Sequence, residues 1–238
     1  VAVLDGAALG RGSVLAAGSV VFPRTALPPG HWCEGSPAKA LRPLDADELR
    51  TLRARVRSEA RACNTALAQE FEVDGADGVY LAATAVGRAR LALGAASSIW
   101  FGCVLQAPVH EIRVGAGSNV QDNSVLRTRE RPIEIGIDTT VGHNVRLEDC
   151  VIGSRTLVGM GSRLAPGTVV QDDVFVAAGT FTVEGQVLES GSLWGGRPAR
   201  PIAPLGDSLR KVIAQAAAMY RVYAERFAQG QAASQARR

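Results

Sequence analysis

An apolar residue returns every six positions along the second half of the chain. Val114 and Val120 set the rhythm, Ile135, Val141 and Leu147 resume it, and Ile152, Val158, Leu164, Val170 and Val176 carry it on after one five-residue step. Gly often follows directly, as at Gly136, Gly142, Gly153 and Gly159, and Ser, Thr or Val tends to sit four places on, as at Ser118, Ser124, Thr139, Val145, Thr156, Ser162 and Thr168. Neither a helical period of 3.6 nor a strand period of 2 sustains such spacing. A hexapeptide repeat predicts an all-β solenoid, a parallel β-helix in which each hexapeptide forms one flat side of a coil. The aliphatic side chain points inward, the small residues allow a tight corner, and three sides close a triangular prism.

The same rhythm opens the chain at Val3, Leu9 and Leu15. Setting residue n beside n+161 aligns Leu27-Pro28-Pro29-Gly30 with Leu188-Glu189-Ser190-Gly191, and Glu34-Gly35-Ser36-Pro37-Ala38 with Gly195-Gly196-Arg197-Pro198-Ala199. Beyond Pro43-Leu44 and Pro204-Leu205 both copies become helical in period. Leu49, Leu52, Val56, Cys63 and Leu67 form one stripe, and Leu209, Val212, Ile213, Ala216, Tyr220, Tyr223 and Phe227 the other. Asp47 and Ser208 are the expected N-caps. Residues 1–44 thus read as the end of a partial β-helix, 45–72 as its closing helix and linker, 73–205 as a complete β-helix, and 206–238 as a C-terminal helix along its flank. A full first copy would need on the order of 90 further residues upstream, because solenoid coils are stabilised by stacking on neighbours.

Composition narrows the classes. Hydrophobic residues make up 47% and aromatics only 5% of 238 residues, with 26 Gly, which suits a narrow solenoid interior. Net charge is +3 and the basic residues are dispersed, which argues against a nucleic-acid surface. No apolar run reaches the ~20 residues of a membrane span. Cys33, Cys63, Cys103 and Cys150 lie far apart with no CxxC pair and read as free thiols of a reducing compartment.

Ser98-Ile99-Trp100-Phe101-Gly102, Ile112-Arg113-Val114-Gly115, Asn119-Val120-Gln121-Asp122, Val141-Gly142-His143-Asn144, Val158-Gly159-Met160-Gly161 and Gly196-Arg197-Pro198-Ala199, in this order, resemble the gamma-class carbonic anhydrase family. The resemblance implies a left-handed parallel β-helix, a helix folded back along it, and a trimer whose zinc sites lie between subunits. It also implies three His ligands, two from one subunit and one from its neighbour. By the family's spacing these fall here on Arg127, His143 and Glu148. A guanidinium has no lone pair to give a metal, and a catalytic zinc needs three protein ligands. The chain is therefore expected to hold no zinc in a site of its own, with Arg127 and Glu148 pairing in its place. His143 remains a candidate ligand donated to a neighbouring subunit, so that zinc is shared at one interface. Gln121 and Asp122 keep the family's interface pattern, whereas Gln106-Ala107-Pro108 stands where the family has Arg-Gly-Asp. His31 and His110 match no ligand position.

The resemblance implies a catalytically inactive subunit that acts as a scaffold in a heterotrimer of related gamma-carbonic-anhydrase-like chains. Its setting would be the membrane arm of respiratory complex I, on the matrix side of the mitochondrial inner membrane, with the cytoplasm as the alternative location. The competing class is an enzyme of the same repeat: a carbonate dehydratase-like lyase, or a coenzyme A-dependent acyltransferase or thioesterase using His143 or His110 as base.

Overall fold

The computed structural model describes residues 2–4, 6–16, 18–55 and 69–235. Of the expected first helical stripe, Val56, Cys63 and Leu67 lie outside the described residues. Two compact units divide between Ala68 and Gln69, and the strand Gln69–Gly75 belongs to the second, ahead of residue 73.

In the first unit, parallel pairing joins Ala2 with Val20, Ala8 with Ala26 and Val14 with Trp32, so one coil takes three hexapeptides. Val21, Leu27 and Cys33 form its small core. The antiparallel hairpin His31–Gly35/Ala38–Pro43 closes it. In the second unit the hairpin Ser192–Gly195/Arg200–Pro204 does the same. The two hairpins share a bulge, between Trp32 and Cys33 in one and between Leu193 and Trp194 in the other. Both carry a cis proline, Pro37 and Pro198. The internal duplication is thus structural as well as sequential. Helix α1 occupies residues 46–55, and its cap is Asp45 rather than Asp47: Asp45 Oδ1 accepts the amides of Asp47 at 3.0 Å and Glu48 at 2.8 Å. Asp45 precedes the helix and so can reach its unpaired first-turn N–H groups.

The second unit is a longer β-helix. Its interior is a continuous column that includes Ile99, Leu105, Val120, Leu126, Val141, Leu147, Ile152, Val158, Leu164, Val170, Val176 and Leu188, each buried aliphatic contributing about 1.5–3 kcal/mol. The hydroxyls four places on from the repeat's aliphatic residues bridge coil to coil. Ser118 Oγ donates to Gly136 O and accepts Thr139 N. Thr139 Oγ1 donates to Gly153 O and accepts Thr156 N. Corner peptides that the sheets leave unpaired are satisfied in this way.

Besides the five-residue step from Leu147 to Ile152, two breaks in the six-residue rhythm are three-residue insertions. The register jumps from Ala89–Ala107 to Arg90–Glu111, which leaves Pro108, Val109 and His110 unpaired. One coil later, residues 128–132 form a second loop outside the strands. The buried Asp149 carboxylate holds that loop, accepting the amides of Arg129 at 2.7 Å and Glu130 at 3.1 Å.

Helix α2, Asp207–Gln235, lies along the sheet face that carries Tyr80, Ser98 and Thr140. It begins before Ser208, and Leu209 N and Arg210 N bond to Gly206 O. Ion pairs Arg210–Asp173 (3.4 Å) and Arg221–Asp138 (2.6 Å) clip it to the β-helix. Its buried stripe is Ile213, Ala217 and Ala224, with Tyr220 half-buried. Val212, Tyr223 and Phe227 of the expected stripe keep more than a third of their surface exposed. The stripe is rotated because the helix turns small alanines toward the sheet for close approach and leaves its rings to straddle Trp100.

Cys33, Cys103 and Cys150 are free and buried. Burial pushes the Cys103 and Cys150 thiols up to about 12, against about 8.5 for a solvated thiol. The fold therefore favours the neutral form, a stabilisation complete below about pH 8.5 and lost as pH rises toward 12. The urea midpoint is expected to decline from about pH 9 upward, and to decline less steeply in the C103A/C150A double variant. Equal slopes for the two proteins would contradict this.

Candidate functional site

Parallel register stacks Gln106, Arg127 and Glu148 on successive coils. Because side chains alternate along a strand, the buried Leu105, Leu126 and Leu147 send these three polar neighbours outward as one column. Arg88 and Glu70 continue it.

Arg127 and Glu148 stand side by side and yet form no ion pair, contrary to expectation. Arg127 Nε donates to Gln106 Oε1 at 2.8 Å. Glu148 Oε1 instead takes Arg129 Nε at 2.6 Å. The loop pinned by Asp149 carries Arg129 over the column, so the carboxylate is claimed from the loop side and Arg127 turns to the amide. Sequence reading missed Arg129. The signal was the nine-residue gap from Leu126 to Ile135, which marks an inserted loop beside the column.

His143 lies in the turn between Thr140–Val141 and Arg146–Glu148. Its Nδ1 is 3.2 Å from Asp122 Oδ2, and its Nε2 is 3.4 Å from the hydroxyl of Tyr220 on α2. Asp122 Oδ1 also accepts Phe101 N at 3.1 Å. The Asp122 carboxylate fixes the ring from the Nδ1 side, which turns Nε2 toward the Tyr220 hydroxyl. This is the orientation that a carboxylate gives a metal-ligating or basic histidine. The sequence places Tyr220 only in the apolar stripe of the C-terminal helix, and the folded helix brings it here.

Gln121 is buried, and its amide donates to Asn119 Oδ1 at 3.2 Å, while Asn119 Nδ2 donates to Thr140 Oγ1 at 3.0 Å. It serves a coil-to-coil network within the chain. His110 sits in the 108–110 insertion, and His31 Nδ1 bonds to Pro29 O at 2.7 Å.

A zinc ion does not fit the three family positions as they stand in one chain. Arg127 offers donors only, and Glu148 is committed to Arg129. Among the described residues no group of three or more His, Cys, Asp or Glu is gathered as a metal site. Nor is any described helix long and apolar enough to cross a membrane.

No protein-family model matches the chain. It is 38% identical over 135 residues to gamma carbonic anhydrase 1, mitochondrial, of Arabidopsis thaliana, covering 54% of this chain and 49% of that protein. It is 30% identical over 122 residues to a carbonic anhydrase of Geobacillus kaustophilus, covering 50% of this chain and 67% of that one. Among solved structures, a hexapeptide transferase family protein from Anaplasma phagocytophilum superposes with a TM-score of 0.62 at 30% identity, over 66% of this chain and 95% of that one. The chain spans about half the length of the Arabidopsis relatives it matches. The coils, the flanking helix and these similarities together show that the chain belongs to the gamma carbonic anhydrase-like family of hexapeptide-repeat proteins, built as left-handed parallel β-helices.

Proposed function

We propose that this chain is a catalytically inactive gamma-carbonic-anhydrase-like subunit that acts as a scaffold in a heterotrimer of related chains. The observation that carries the reading is Arg127, a guanidinium bonded to Gln106 at a position where the family places a zinc-binding histidine. His143 keeps a ligating side chain, oriented by Asp122, and would complete zinc at one interface when a neighbour supplies two histidines. The mitochondrial Arabidopsis relatives support a mitochondrial location. Within it we place the assembly at the membrane arm of respiratory complex I, on the matrix side of the inner membrane.

Metal analysis tests this. The isolated chain is expected to carry well under one zinc per subunit and to leave CO2 hydration at the background rate. The R127H/E148H double variant restores three nitrogen ligands, and its homotrimer is expected to take up about one zinc per subunit. A wild-type homotrimer with stoichiometric zinc and CO2 hydratase activity would overturn the proposal.

A second reading, a coenzyme A-dependent acyltransferase or thioesterase, is favoured by the Asp122–His143 pair and by the likeness to a hexapeptide transferase family protein. It requires His143 as base, so acyl transfer by a homotrimer that is abolished in H143N would establish it.

A further inference from the structure

One corner of the second β-helix carries a charged ladder beneath helix α2. Asp138, Arg155 and Asp173 take the same corner place on successive coils, each at a left-handed φ of 51–58°. Coils repeat at about 4.8 Å, so the two aspartates stand about 10 Å apart. Arg221 of α2 reaches Asp138, and Arg210 reaches Asp173. Positions 210 and 221 lie about 16 Å apart along the helix, so the two arginines lean toward each other. Between them the helix presents Ile213, Ala214 and Ala217. The short alanines leave a cavity of about 360 Å³, walled by the ladder and the two arginines. That volume suffices for a small ligand.

Hydrogen-bond donors exceed acceptors on the cavity walls, because each guanidinium carries five N–H groups. Arg155 binds both oxygens of Asp173, through Nε at 3.0 Å and Nη2 at 2.9 Å, and Nη2 also reaches Asp172 at 3.1 Å. Its Nη1, with two N–H groups, stays outside this pairing. Arg210 meets, at 3.4 Å, the same Asp173 Oδ1 that Arg155 Nε already holds. One carboxylate thus serves two guanidiniums, whereas Arg221 pairs with Asp138 at 2.6 Å.

We infer that the cavity is a binding site for a small organic monocarboxylate with a short apolar body. The ligand's carboxylate takes the N–H groups of Arg155 and Arg210 that the aspartates leave over, as charge-assisted bonds. Its body covers the face made by Ile213, Ala214 and Ala217. An inorganic anion would leave that apolar face wet, and a neutral ligand would leave the guanidinium donors without an acceptor. The site shares no residue with the Arg127 column or with His143, and it needs neither zinc nor a neighbouring chain. When filled, it ties the N-terminal half of α2 to the coils.

The test is calorimetric titration of the full chain with butyrate, butyramide and inorganic phosphate at constant ionic strength, with hydrogen exchange alongside. Butyrate is expected to bind saturably with a dissociation constant of about 1 mM. At about 20 mM it should slow exchange of amides 211–217 about tenfold or more. Butyramide and phosphate should each bind at least tenfold more weakly. R155Q is expected to weaken butyrate binding tenfold or more. A214M keeps every ion pair and fills the cavity from the helix side, so it should abolish binding while leaving the melting temperature within about 2 °C of wild type. Absence of saturable butyrate binding up to about 50 mM overturns the proposal. So does butyramide or phosphate binding as tightly as butyrate, or A214M binding it unchanged.

Discussion

Replacing Trp100 with Ala is expected to detach helix α2 from the β-helix. Trp100 is 4% exposed, and its ring meets Tyr80 at 5.0 Å, Tyr220 at 5.1 Å and Phe227 at 5.4 Å between centroids. Its indole N–H donates to Ser98 Oγ at 2.9 Å. Truncating a buried Trp costs about 3–5 kcal/mol, and edge-to-face pairs add about 0.5–1.5 kcal/mol each. The loss falls on the helix, because the solenoid interior does not include Trp100. Hydrogen exchange should show amides of residues 213–227 losing protection by two orders of magnitude or more, about 3 kcal/mol of local stability, while the coil amides stay protected. Equal loss in helix and coils would mean that the two fold as one unit. Tyr220 leaves with the helix, so the variant also frees His143 Nε2 without touching the histidine.

Gly87→Ala should be the more damaging change to the solenoid. Gly87 pairs with Leu105 at the head of the column Arg88–Gln106–Arg127. Its φ is +128°, and an added methyl would overlap the Leu105 carbonyl oxygen. An alanine adopts that backbone poorly. The contact is with backbone rather than a movable side chain, so the strand must shift away from its neighbour. Strain and lost ladder bonds together should cost about 3 kcal/mol or more. Thermal denaturation is expected to show a fall of roughly 6–12 °C. Gly161, whose added methyl would meet nothing within 4 Å, is the control: G161A carries only the strain of its φ of +68° and should lose less. A G87A protein melting with wild type would show that the first coil can shift without loss.

The coil interior was legible because one rule governs it. Each inward position must be aliphatic whatever its neighbours do, so Val141, Val158 and Val176 announce themselves singly. The site was less legible because ion-pair choice depends on register. Arg127 and Glu148 are 21 residues apart and do become neighbours, as the family spacing implied. Arg129 then decides the pairing, from a loop whose path is set by a buried aspartate that no periodicity marks. Arg146 and Arg163 likewise look scattered until coils of unequal length make them cross-strand neighbours. Helix α2 had the right apolar residues, but its rotation follows from Ala217 and Ala224, which a hydrophobic stripe undervalues.

The helix also acts as a gauge. Arg210 grips Asp173 near one end of the stack, and Phe227 stacks on Tyr80 at the other, 6.0 Å between rings. The 17 residue steps between them span about 25 Å. The strands from Tyr80 through Ser98, Asn119, Thr140 and Leu157 to Phe175 span five steps of about 4.8 Å, or about 24 Å. Solenoids can otherwise gain or lose repeats freely, since each coil asks only for a neighbour. Here a coil inserted or deleted would leave one end of the helix ungripped, so the number of coils between its two anchors is held constant while the corners remain free to grow.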